Sequence, residues 1–283
     1  MSEKIAIVTD SGSDVNQKYT LELPIFKLPL RVIIDGKEYS DDSLSNQEIF
    51  QAMESTKVTT SLPSPKEVET TLDNIKDLGY THVIAVLLSS GLSGTYNTIS
   101  LLAQDYQGLE IHVIDSKNIS IASGFSAIEA ARMAKDNIPY QEIINKIENN
   151  LNKKKVFFTV GTLEYLREGG RIGLVAGTVA DVLNIKPLIS CNDDGVYYTV
   201  KKTRGYRKSI SMMLELAKEY LGDTKNYELV LLDAQSAEDF TALKEKVKTV
   251  IPYDKEIEVE KITPALAIHT GPEAVGIAVR IID

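Results

Sequence analysis

The 283-residue sequence holds one cysteine, Cys191, no tryptophan and three histidines. A single thiol excludes an internal disulfide framework and a cysteine-built zinc site. His82, His112 and His269 show no metal-ligand spacing. No run approaches the ~20 apolar residues of a membrane span. Met1-Ser2-Glu3-Lys4 leads into a strand-like segment rather than the apolar core of a signal peptide. Positive charge is scarce: 31 Lys and Arg against 40 Asp and Glu leave a formal net charge of −9. That balance argues against nucleic acid or an anionic membrane as the main partner, because both require a positive field. Nucleotide signatures are missing as well. There is no Gly-x-x-x-x-Gly-Lys-Ser/Thr loop and no Gly-x-Gly-x-x-Gly fingerprint, and Gly36-Lys37 is followed by glutamate. The expectation is a soluble cytoplasmic protein with no metal, no cofactor and no nucleotide site of a familiar kind.

What remains is an ordinary globular composition, 43% hydrophobic and 25% charged, long enough for roughly two domains. Apolar β-branched runs alternate with helical patterns, the mark of a parallel α/β sheet. Lys4 to Thr9 reads as a first, doubly buried strand, Leu28 to Ile34 as another, and His82 to Leu88 and Ile111 to Ile114 as two more. Ser45-Asn46-Gln47-Glu48 and Ser64-Pro65-Lys66-Glu67 are capping boxes that start helices. Further helices are expected over Tyr96–Gln104, Ile121–Lys135 and Tyr140–Leu151. Character changes after the Asn- and Lys-rich stretch 149–155, which predicts domains over 1–152 and 153–283. In the second, Leu174–Leu183, Tyr206–Leu221 and Ala237–Val250 read as helices, and the segments around Asn192-Asp193-Asp194-Gly195 as a hairpin. The fold class is α/β: an N-terminal, mostly parallel, doubly wound sheet domain plus a smaller C-terminal α+β domain, with a ligand in the cleft between them.

Four polar loops stand out: Thr9 to Asp14, Thr59 to Pro65, Ser89 to Thr95, and Ala267 to Pro272. Strand–turn–helix geometry in the third aims backbone N–H groups and hydroxyls at one spot, suited to a small anion or a carboxylate. In open α/β sheets such loops meet at the carboxyl ends of the strands, and the fourth would arrive from the second domain. Each also has an ordinary reading as a cap or turn. A serine hydrolase using Ser93, His269 and Asp10 or Asp115 is the alternative, although a nucleophile elbow places residues on both sides between its serine and glycines, whereas Gly94 follows Ser93 directly.

Taken in order, Thr9-Asp10-Ser11-Gly12-Ser13-Asp14, Thr60-Ser61-Leu62-Pro63-Ser64, Ser89-Ser90-Gly91-Leu92-Ser93-Gly94-Thr95-Tyr96, Tyr165-Leu166-Arg167-Glu168-Gly169-Gly170-Arg171-Ile172, Leu183-Asn184-Ile185-Lys186-Pro187 and His269-Thr270-Gly271-Pro272 resemble the ordered motifs of the DegV family. The resemblance spans essentially the whole chain. It implies a bacterial, non-enzymatic carrier that holds one long-chain fatty acid between two α/β domains. Some members present the carboxyl group to the ATP-binding subunit of a fatty acid kinase, which makes the acyl phosphate, so membrane contact is only transient. Carried over by motif, Thr60 and Ser93 would hold the carboxylate with His269 close by, and Arg171 would lie on the surface that meets the kinase. Arg167, Lys201, Lys202, Arg204, Arg207 and Lys208 cluster in the second half of the chain and read either as ordinary solvated faces or as an electrostatic docking patch for the kinase subunit. Glu273 departs from the pattern: many members carry a small residue there, and a carboxylate aimed at the head group would disfavour a second one.

Overall fold

The computed structural model describes residues 3–177, 184–235 and 239–282. β1 (Ile5–Asp10) has every side chain buried. A tight turn and α1 (Gln17–Glu22) return the chain to β2 (Ile25–Leu28), which lies parallel to β1. The segment expected as one strand through Ile34 breaks at Pro29, which supplies no N–H to a ladder. β3 (Arg31–Ile34) therefore starts a second sheet, antiparallel to β4 (Lys37–Ser40). α2 (Asn46–Met53) begins at the Ser45–Glu48 capping box. β5 (Val58–Ser61), not foreseen as a strand, pairs with the other edge of β3. α3 (Pro65–Asp77) begins at the Ser64–Glu67 box with proline in its first turn. β6 (His82–Leu87), α4 (Thr95–Asp105) and β7 (Glu110–Asp115) complete the parallel sheet, ordered β2-β1-β6-β7. Winding reverses at β1, so a crevice opens beyond the carboxyl ends of β1 and β6.

α5 (Ile121–Lys135) and α6 (Tyr140–Asn149) follow. Next come β8 (Lys154–Thr159), α7 (Glu164–Glu168), β9 (Ile185–Cys191), β10 (Tyr197–Arg204), α8 (Tyr206–Leu221), β11 (Tyr227–Asp233), α9 (Asp239–Val250), β12 (Glu258–Lys261), α10 (Pro264–Thr270) and β13 (Val275–Ile281). The strands from β8 onward build one mixed six-stranded sheet, ordered β10-β9-β8-β13-β11-β12. Of the helix expected over 174–183, residues 178–183 lie outside the described residues, and Gly173–Val175 form a short 3₁₀ turn. His269, expected in a loop, sits in the last turn of α10, whose first turn carries Pro264.

α5 is buried on nearly all sides: Ile121 to Ile128, Ala130 and Ala131 are all buried. A helix without a polar face belongs between layers, and α5 packs on β1 and β6 on one side and on β8 and β13 on the other. Its Ala, Ser and Gly residues let both sheets approach closely. Its exit is tied by charge. Lys154 Nζ, 2% exposed, lies 2.8 Å from Glu129 Oε2. Arg280 reaches the same carboxylate at 3.9 Å and Glu228 at 2.9 Å. Its entry is tied by a carboxylate. Ser120 precedes the helix at φ 56°, a conformation rare for a side-chain-bearing residue. Its hydroxyl donates to Asp14 Oδ2 at 2.5 Å, and Thr263 N donates to Asp14 Oδ1 at 2.9 Å. Asp10 Oδ2 accepts from Leu88 N at 2.8 Å, and Asp41 accepts from the Ser11 hydroxyl at 2.6 Å.

Burial pushes Asp10 and Asp14 up from 3.8 to about 7, against the hydrogen bonds they accept. Folding thus favours their protonated forms. The stability they contribute is complete below 3.8 and is lost as pH rises through about 7. Asp14→Asn, which suits the same left-handed backbone, is expected to flatten the fall in urea midpoint between pH about 4 and about 7. An unchanged slope would mean that Asp14 does not titrate there. In the second half of α5, Glu129→Ala strands the Lys154 charge and is expected to destabilise by about 3 kcal/mol or more in urea unfolding. A loss under about 1 kcal/mol, the scale of an exposed pair, would show that Lys154 does not depend on Glu129.

Candidate functional site

Three elements deliver polar side chains to the crevice beyond β1 and β6. Thr60 lies on β5 opposite Val32 of β3. His269 comes from α10, which is seated by Ile268 in a small core with Val32, Ile49 and Val58. That anchoring brings the imidazole to the edge strand: Thr60 Oγ1 and His269 Nε2 are 2.8 Å apart. Ser93 lies in the turn before α4, its hydroxyl 2.8 Å from that of Thr95.

The Ser89–Thr95 turn differs from the expected nest of free amides. Ser89 N donates to Asn118 O, Ser90 N to Asp115 Oδ1, and Gly91 N to Ser89 Oγ. Leu92 N and Ser93 N both donate to Ser89 O. Hydroxyls, rather than those amides, are what the turn offers. It docks against the β9–β10 hairpin: Ser89 Oγ donates to Gly195 O at 2.8 Å. A Cβ on Gly91 would stand 2.9 Å from that same carbonyl oxygen, so this approach needs glycine.

Thr60, Ser93, His269 and Arg171 line one cavity of about 210 Å³, with Leu88 and Leu92 beside them. Arg171 is held in place by carbonyls. Its Nε donates to Leu92 O at 3.2 Å and its Nη1 to Gly169 O at 2.6 Å. Two further cavities adjoin. One of about 190 Å³, lined by Thr56, Lys57 and Glu168 among others, shares Thr60, Arg171 and His269. The other, about 40 Å³ and walled by Val156, Phe158, Leu232 and Ile262, shares Ile119, Tyr197 and Leu266 with the central one. Polarity therefore falls along the series, from a mouth lined by charges of both signs through hydroxyls to an apolar end. Glu273 lines none of these three cavities; its side chain lies over Gly161.

Burial, reinforced by the Arg171 guanidinium, pushes His269 down to about 4. The ring is neutral at pH 7 and carries one proton. Nδ1 is buried with no hydrogen-bond partner. Orphaned buried N–H groups are rarer than under-used acceptors, so we assign the proton to Nε2 rather than to the unpartnered Nδ1. Nε2–H then donates to Thr60 Oγ1 and leaves the Thr60 hydroxyl hydrogen free to donate into the cavity. The Ser93–His269–Asp relay of a hydrolase is not formed. Ser93 pairs with Thr95, His269 with Thr60, Asp10 with Leu88 N, and Asp115 with Lys117 at 2.8 Å.

Sequence reasoning gave no role in this site to Gly169, Ile119, Tyr197 or Leu266. The apolar three carried no local signal, since a hydrophobic residue lining a cavity and one in a core look alike in sequence. Among the described residues no helix is long and apolar enough to cross a membrane.

Comparison with known proteins places this architecture. A family model described as "Uncharacterised protein, DegV family" matches residues 4–281. A DegV domain-containing protein of Clostridium acetobutylicum is 36% identical over 279 residues, covering 97% of this chain and 98% of that one. A DegV family protein from Thermus thermophilus, solved for its fatty acid binding, superposes with a TM-score of 0.91 at 27% identity over 99% of this chain and 100% of that one. A stearic-acid-binding protein from Eubacterium ventriosum gives 0.88 at 28% identity over 99% and 98%. The chain belongs to the DegV family.

Proposed function

We propose that this protein binds one long-chain fatty acid, with its carboxyl group at Thr60 and Ser93 beside His269, and its tail running past Ile119, Tyr197 and Leu266. The observation that carries this reading is the continuity of a hydroxyl-lined cavity with an apolar one through those three residues. The Thermus thermophilus and Eubacterium ventriosum proteins, both described by their fatty acid binding, support it. Each methylene withdrawn from water contributes about 0.8 kcal/mol, so the tail supplies affinity and the polar end supplies direction. The apolar cavity, about 40 Å³, has room for only the first methylenes. A long tail enters by parting the side chains around it. The carboxylate must find donors, since an unpaired buried charge is costly. The Thr60 and Ser93 hydroxyls provide them without the bidentate grip of an arginine.

We further propose that the acid is presented to a separate ATP-dependent kinase subunit, that Arg171 belongs to the docking surface, and that residues 1–152 and 153–283 are the two domains flanking the ligand. The outer cavity supports presentation: it shares Thr60, His269 and Arg171 with the central cavity and none of the residues that line the apolar one. A carboxyl oxygen held there is accessible to a second reactant.

Solvent extraction of the denatured protein followed by mass spectrometry is expected to release one long-chain acid per chain. Thr60→Val and Ser93→Ala are each expected to weaken binding of added acid about tenfold, the worth of one hydrogen bond to a charged group. No released lipid together with no binding of added acid would end the carrier reading and leave the Ser93 hydroxyl to be tested with a fluorophosphonate probe. Arg171→Ala is expected to slow kinase-dependent phosphorylation while the extracted lipid stays at one per chain. Loss of lipid in step with turnover would assign Arg171 to the head group instead.

A further inference from the structure

The paired glycines after α7 have different physical reasons. Gly170 has φ 72° with nothing within 4 Å of the place a Cβ would take. It terminates the helix in the left-handed region, which glycine enters freely. Gly169 has φ −73° and ψ −8°, an ordinary helical conformation in which alanine is preferred to glycine. Backbone conformation gives no reason for glycine there. Space does. A Cβ on Gly169 would lie 2.0 Å from His269 Nδ1 and 2.9 Å from its Cε1, with the Tyr165 carbonyl oxygen at 3.0 Å. The imidazole occupies the place of the missing side chain, its Nδ1 face against Gly169 and its Nε2 on Thr60. The carbonyl of the same residue accepts from Arg171 Nη1. One residue thus sets two of the polar groups of the cavity, His269 through what it lacks and Arg171 through its backbone.

We propose that Gly169 is a positioning residue of this site: the absence of a side chain there seats the His269 imidazole against Thr60 and so turns the Thr60 hydroxyl toward the ligand. The consequence for binding rests on the fatty-acid reading above; the consequence for the imidazole does not. A methyl group at this position moves the ring away from Thr60 and toward water, without touching the left-handed residue that ends the helix.

The test is Gly169→Ala, read in two ways. By NMR titration, His269 is expected to leave its position near about 4 and move up toward 6.5, the ordinary value for a solvated imidazole. By titration with palmitic acid, the dissociation constant is expected to rise about tenfold. In a His269→Ala background, where no ring remains to be displaced, the same substitution is expected to change the affinity by less than about twofold. An unchanged His269 titration overturns the proposal. So does an equal loss of affinity with and without the imidazole, which would show that Gly169 acts by another route. If the parent protein does not bind palmitic acid, the lipid reading fails, while the NMR titration still decides this one. Should Gly169→Ala not fold, the double variant is expected to fold; its failure would put the clash at the Tyr165 carbonyl and sink the proposal.

Discussion

The structure depends on the burial of α5 between two sheets. A helix rich in Ala, Ser and Gly gives β1 and β6 on one side and β8 and β13 on the other a common wall. Burial of that wall forces the ends of the helix to be satisfied inside the protein. The carboxylate of Asp14 holds the entry through the strained Ser120. Glu129 near the exit neutralises a lysine that has almost no contact with water. Asp14 also takes the Thr263 amide at the head of α10, so the helix that carries His269 is placed by the same group that anchors α5.

The polar end of the site follows from those constraints. α10 is pinned at its start by Asp14 and along its flank by Ile268 against the three-stranded sheet. His269 then has little choice but to meet Thr60. Enclosure keeps the imidazole neutral, and the arginine nearby opposes the uptake of a second proton. The result is a neutral relay that orients a hydroxyl, a mild arrangement compared with a guanidinium clamp.

What was legible in the sequence was mostly local chemistry. The two capping boxes start α2 and α3 where their Ser and Glu residues stand, because a cap is made by atoms three residues apart. α5 runs over the expected limits. The break at Pro29 was underrated because the surrounding apolar run looks continuous, and β5 escaped notice because four residues of an edge strand derive their order from a partner. His269 was read into a loop by its glycine and proline neighbours, although Pro264 starts a helix that Gly271 ends. The gathering of Thr60, Ser93, Arg171 and His269 around one cavity was suggested by the order of motifs rather than by spacing, since nothing in periodicity couples residues so distant. In the sequence Gly169 and Gly170 read alike, as a pair that stops a helix. Only the position of a side chain from α10 separates the two.

The Thr60–His269 contact spans 209 residues of chain. Closing so long a loop brings its reward late in folding. It also sets an order on the ribosome: Thr60 and Ser93 have emerged long before α10 exists to complete the mouth of the cavity. A nascent chain therefore presents the Thr60 and Ser93 hydroxyls before it has the imidazole that pairs with the first of them.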